Sequence, residues 1–160
     1  MLKRNIIIFI IIIFIFILDL LTKNYALDYL IINHSLLIND FLNFTLAFNH
    51  GAAFSFLSEA GGWQRWFFIV FSFIVILIIA YITASDENSP YIAFSFVIGG
   101  ALGNLNDRII YGYVVDFIEF HYKTLYWPIF NFADVAISIG VILLLYNMFL
   151  NRKNIKWILF

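Results

Sequence analysis

Residues 66–84 read WFFIVFSFIVILIIAYITA, nineteen positions without a single charge. A hydrocarbon layer about 30 Å thick is crossed by about 20 helical residues, each rising 1.5 Å, so this run has the length of one crossing. Its Ile, Val and Phe would favour strands in water. In lipid the backbone must satisfy its own hydrogen bonds, which makes helix the better reading. Three other stretches behave similarly, and together they place spans at about 5–23, 65–84, 91–109 and 132–151. The expected fold class is an all-α membrane protein with four transmembrane helices, a small extracytoplasmic β-sheet and a short interfacial helix.

The whole chain fits that solvent. Of 160 residues 64% are hydrophobic and 12% charged, where a soluble domain carries about 25% charged residues. The length fits one polytopic domain, residues 1–160. A net charge of −1 offers nothing to a nucleic acid. Cysteine is absent, which removes disulfides, thiolate zinc sites and a cysteine nucleophile. His34, His50 and His121 share no ligand-like spacing, so neither a metal nor another cofactor is expected.

Lys3 and Arg4 before the first apolar run resemble the start of a cleavable signal peptide. No small-x-small cleavage site follows. Asp19 and Lys23 come instead, one helical turn apart, and a retained helix is expected. Five of the nine basic residues, Lys3, Arg4, Arg152, Lys153 and Lys156, flank the first and last spans. Basic flanks stay on the cytoplasmic side, so both termini are expected there. The 85–90 connection, with Asp86 and Glu87, adds no support. Between the first two spans, Asn39-Asp40 reads as a turn and NFTLAF (43–48) as a strand. Residues 55–65 are expected to form the interfacial helix, with Trp63 and Trp66 at headgroup depth. VVDFIEFHY (114–122) is a second strand. Gly99 and Gly103 form a small-xxx-small pair suited to close helix packing, and Gly51-Ala52-Ala53 reads as a tight backbone segment.

Charged groups near a bilayer need partners, water or a task. Asp19, Lys23, Asp107, Arg108, Asp116 and Asp134 all fall toward the same, outer ends of the spans. Asp116 and Asp134 flank one connection, and two adjacent carboxyls cannot both ionise easily. Such a pair can share a proton and hydrolyse an amide by general acid–base chemistry. A plainer reading is open at this point: Asp134 caps a helix and Asp116 is a solvated loop residue. Asn104 and Arg108, at i and i+4, and Asn131, three before Asp134, stand near enough to orient carboxylates or hold a peptide. Two other functions also fit charged membrane helices: a small proton-coupled transporter and a non-catalytic scaffold. Acidic groups grouped at one surface, with none crossing the midplane, weigh against the transporter.

The runs ILDLLTK (17–23), FNHGAAFSFL (48–57), GGALGNLNDRIIYGYVVDFIEFH (99–121) and WPIFNFADVAISIG (127–140) occur in an order that resembles lipoprotein signal peptidase, or signal peptidase II, over nearly the whole chain. That resemblance implies a bacterial cytoplasmic (inner) membrane aspartyl endopeptidase, multi-pass, active near the extracytoplasmic face. Its substrates are diacylglyceryl-prolipoproteins, cut just before the lipidated cysteine. It implies Asp116 and Asp134 as the catalytic dyad and Asn104, Arg108 and Asn131 as polar groups contacting substrate. Asp19, Lys23, Asn49 and Gly100 match family positions with supporting roles. Implied partners are membrane lipids and globomycin-type inhibitors, with no metal and a monomeric state. Leu20, His50 and Asn106 depart from the family pattern without removing a proposed catalytic group.

Overall fold

The computed structural model describes residues 2–51 and 61–150. In chain order these form α1 (Leu2–Tyr29), β1 (Ser35–Asn39), β2 (Leu42–Asn49), α2 (Trp63–Ser85), α3 (Tyr91–Ile110), β3 (Val114–Tyr122), β4 (Leu125–Tyr126) and α4 (Phe132–Leu150). The strands make one antiparallel sheet in the order β1-β2-β3-β4. The expected sheet is therefore present, but with four strands the protein is not all-α, and that part of the expectation is corrected. The alternation in NFTLAF and VVDFIEFHY outweighs the helical context because these segments lie beyond the apolar runs. The Asn39-Asp40 turn is closed by Asn39 Oδ1, which accepts from the Phe41 amide at 2.9 Å.

α1, α2 and α4 are long and apolar enough to cross a membrane. α3 is not in that group, because one end carries Asn104, Asn106, Asp107 and Arg108. It is the central helix and packs against each of the other three. Glycines make that closeness possible. A Cβ on Gly99 would stand 2.9 Å from the Ile15 Cβ of α1, and one on Gly103 would run into the Asp19 carboxylate. Gly100 faces the other way, where a Cβ would strike the Ala133 carbonyl of α4. The small pair read from the sequence thus seats α1, while the glycine between them seats α4.

The outer faces are oily. Only Gln64 and Thr83 of α2 are fully buried, and Ile, Phe and Leu cover its surface. An apolar face of that extent needs an apolar surrounding. At one end, the Arg4 guanidinium donates to the Thr83 carbonyl and lies 5.7 Å from the Tyr91 ring. The start of α1, the end of α2 and the start of α3 therefore share that end. The sheet and the first turn of α4 lie at the other. α1 runs beyond the expected span to Tyr29, and its added turns place Ala26 in a core with Leu46, Val115, Phe117 and Ile118. The expected interfacial helix falls mostly on 52–60, outside the described residues, while Trp63–Arg65 form the first turn of α2.

Candidate active site

α4 begins where Asn131 replaces helical backbone with a cap. Its Oδ1 accepts from the Asp134 amide at 2.9 Å, and the Asp134 Oδ2 accepts in return from the Asn131 amide at 3.2 Å. This reciprocal arrangement satisfies two amides that a helix start leaves unpaired. The plainer reading of Asp134 as a helix-end residue is thus correct as far as it goes. The cap also fixes the carboxyl in one orientation, and its other oxygen, Oδ1, accepts from Asn104 Nδ2 at 2.8 Å.

Asp116 reaches the same place from β3. An irregularity in β2 between Phe44 and Ala47 shifts the register, so that Ala47 rather than Leu46 faces Asp116. The Asp116 Oδ1 accepts from Asn131 Nδ2 at 2.6 Å and its Oδ2 from Asn49 Nδ2 at 3.1 Å. Asn131 is fully buried and touches both carboxyl groups. Asp116 is not a solvated loop residue: it is buried. That burial, with the Asp134 charge beside it, pushes its carboxyl up from the usual value to about 7, against the hydrogen bonds from Asn49 and Asn131 and the field of Lys23.

Both aspartates line one cavity of about 910 Å³, with Asn49, Asn104 and Arg108 in the same wall. Apart from Ser138, its remaining walls are apolar, from Trp127–Phe130 and from the α4 face carrying Val135, Ile139 and Ile142. Arg108 Nη2 donates to the Gly51 carbonyl at 2.8 Å, and its guanidinium lies 5.0 Å from the Phe68 ring. The Gly51 amide in turn donates to Asn49 Oδ1 at 3.0 Å, which holds Asn49 toward Asp116.

Beneath this layer lies Lys23, which is buried and bonded to Asp19 (2.7 Å), Asp107 (3.0 Å) and Asn104 Oδ1 (2.9 Å). Of the residues singled out in the sequence, Asn49, Asn104, Arg108, Asp116 and Asp134 meet at the cavity, and Asn131 is buried behind the two carboxyl groups. Asp19 and Lys23 stand one layer below. Gly100 stands against Ala133 and Ile137, where it lets α3 and α4 approach closely. Asp107 is a charged span-end residue that the sequence reading leaves outside the site positions. Its place three residues after Asn104, on the same helix face, is the signal for it. Arg65 was missed as well. It donates to the Arg108 and Ile109 carbonyls at 2.9 and 2.8 Å and so caps the C-terminal end of α3. A cation just before an uncharged span was its only mark in the sequence.

A family model described as signal peptidase (SPase) II matches residues 11–150. The lipoprotein signal peptidase of Dichelobacter nodosus is 56% identical over 112 residues, 69% of this chain and 73% of that one. The lipoprotein signal peptidase of Cellvibrio japonicus is 49% identical over 143 residues, covering 86% and 82%. A solved bacterial membrane enzyme, 34% identical, superposes with a TM-score of 0.82 over 94% of this chain and 92% of its own. A second solved bacterial membrane enzyme, also 34% identical, gives 0.76 over 88% and 91%.

Proposed function

The chain belongs to the signal peptidase II family, and from that premise we propose that it cuts diacylglyceryl-prolipoproteins just before the lipidated cysteine, using Asp116 and Asp134 as an aspartyl dyad. It is a protease of a multi-pass bacterial membrane family that removes signal peptides from prolipoproteins. The observation that carries the dyad reading is the single Asn131 side chain and amide joining two carboxyl groups on the wall of one cavity.

In this reading Asp134, at the first turn of α4 where the helix dipole favours negative charge, is the ionised partner. Asp116, buried and held near neutrality, carries the shared proton. Asp134 takes a proton from water as the oxygen attacks the scissile carbonyl, while Asp116 gives its proton to the carbonyl oxygen. The tetrahedral species then collapses as Asp134 gives that proton to the leaving nitrogen and Asp116 takes one from a diol hydroxyl, which yields an amine and a carboxylic acid and restores the starting dyad. Asn104 and Arg108 stand where they can bind the peptide backbone, and the apolar α4 wall suits the lipid-bearing end of the substrate.

The same reading makes α3 the fourth span, at 20 residues about as long as the hydrocarbon layer is thick. Both termini then lie in the cytoplasm and the sheet with its cavity at the extracytoplasmic face. The test uses purified protein and a lipid-modified peptide with a chelator present. Asp116→Asn and Asp134→Asn should fold and bind substrate but leave it uncut. Normal cleavage by either variant would overturn the dyad.

A further inference from the structure

Lys23 is almost wholly enclosed, 2% exposed, and so are its two carboxylate partners, Asp19 at 1% and Asp107 at 2%. An ammonium has three donors and no acceptor. Here all three are used, on Asp19 Oδ2, Asp107 Oδ2 and Asn104 Oδ1. Burying such a group is unfavourable unless it is fully paired, so its location at this depth calls for a reason beyond holding helices together.

The reason lies in where each arm ends. Asp19 Oδ1 accepts from the Ala133 amide at 2.8 Å, and Ala133 directly precedes Asp134. Asp107 Oδ2 accepts from the Val115 amide at 3.1 Å, and Val115 directly precedes Asp116. The two carboxylates therefore do the same thing to the two segments that carry the site, the start of α4 and the start of β3: each grips the peptide N–H just before one aspartate. The third arm sets an amide. Asn104 Oδ1 receives both Lys23 Nζ and Asn131 Nδ2 (3.2 Å), which leaves its NH2 to face the Asp134 Oδ1 at 2.8 Å. A donor-only cation opposite Asn104 forbids the flipped amide, which would turn an NH2 against the ammonium.

We propose that Lys23 is a positioning residue for both aspartates, acting through Asp19, Asp107 and Asn104 to set where the two carboxyl groups stand. The proposal rests on the dyad reading given above. It goes further in assigning one buried cation, a layer below the cavity, control over both halves of the pair.

The test compares wild type with Lys23→Met in lipid, measuring kcat and KM on the lipid-modified peptide and amide exchange at Val115, Ala133 and, as a remote reference, Val75 in α2. A displacement near 1 Å lowers turnover roughly 100-fold. The expected result is a fall in kcat of that order, KM changed little, faster exchange at Val115 and Ala133, and Val75 as before. A folded variant with normal kcat overturns the proposal. So does exchange that rises equally at Val75, which would make Lys23 a general support of the bundle. Should Lys23→Met fail to fold, the arms are separated. Asp107→Ala should quicken exchange at Val115 and not at Ala133, Asp19→Ala the reverse, and identical responses overturn the proposal. Wild-type protein that leaves the peptide uncut defeats the dyad reading, whereas the exchange pattern is read independently of cleavage.

Discussion

At the scale of single residues, Asp116 and Asp134 are chemically alike and differently housed. Asp116 is inside the sheet–helix junction with two amide donors, and Asp134 belongs to a helix cap. The Asp116 carboxyl, raised to about 7, holds its proton more tightly in the native than in the unfolded chain. Its contribution to stability is therefore fully present below the ordinary value of 3.8 and is lost as pH rises through about 7. Asp116→Asn has no such loss. Thermal unfolding of variant and wild type, followed across that pH window, should show the variant gaining on the wild type and then running parallel above it. A gap that does not change with pH contradicts this assignment. Cleavage should decline on the alkaline side near the same value, because the shared proton is then gone. The sequence marked both aspartates by their position at span ends. It did not reveal the housing, because Asn131 meets Asp116 only through the bridge between Phe130 and Ile118 of β3 and the path of the chain into α4.

At the scale of elements, three glycines on α3 decide how the site is assembled. Gly103 faces Asp19 so closely that a methyl group there would displace the carboxylate. Gly103→Ala should lower stability by about 1–3 kcal/mol, in line with overpacked interiors, and reduce cleavage by disturbing the grip of Asp19 on the Ala133 amide. Unfolding midpoints and turnover measured together check this, and an alanine variant equal to wild type in both would show that α1 yields without consequence. The helices, β2 and β3 were legible from hydropathy and alternation, whereas the short β1 and β4 were not. The extension of α1 to Tyr29 was less so, since Asn24 and Asp28 interrupt the apolar run that marks a span. The role of Arg65 was illegible, because a helix cap made across 43 residues leaves no local pattern.

At the scale of the whole molecule, one end carries the sheet, the cavity and the buried cation, and the other carries Arg4, Thr83 and Tyr91. The chain lacks cysteine, so single introduced thiols report on sidedness cleanly. Asp40→Cys in the β1–β2 turn and Glu87→Cys in the α2–α3 connection are both exposed positions. In intact cells an impermeant maleimide should label the first and spare the second. Labelling of both, or of Glu87→Cys alone, contradicts the proposed orientation. α3, with its polar end, reads ambiguously as a span by composition, and packing against all three other helices accounts for the difference.

The bond from Asp19 to the Ala133 amide joins the first helix to the last across 114 residues of chain. A nascent polypeptide that ends with α3 lacks Asn131, Ala133 and Asp134 altogether. On the proposed dyad, hydrolytic competence therefore arrives only with α4, and a half-synthesised chain has no means of cutting its neighbours at the site of insertion.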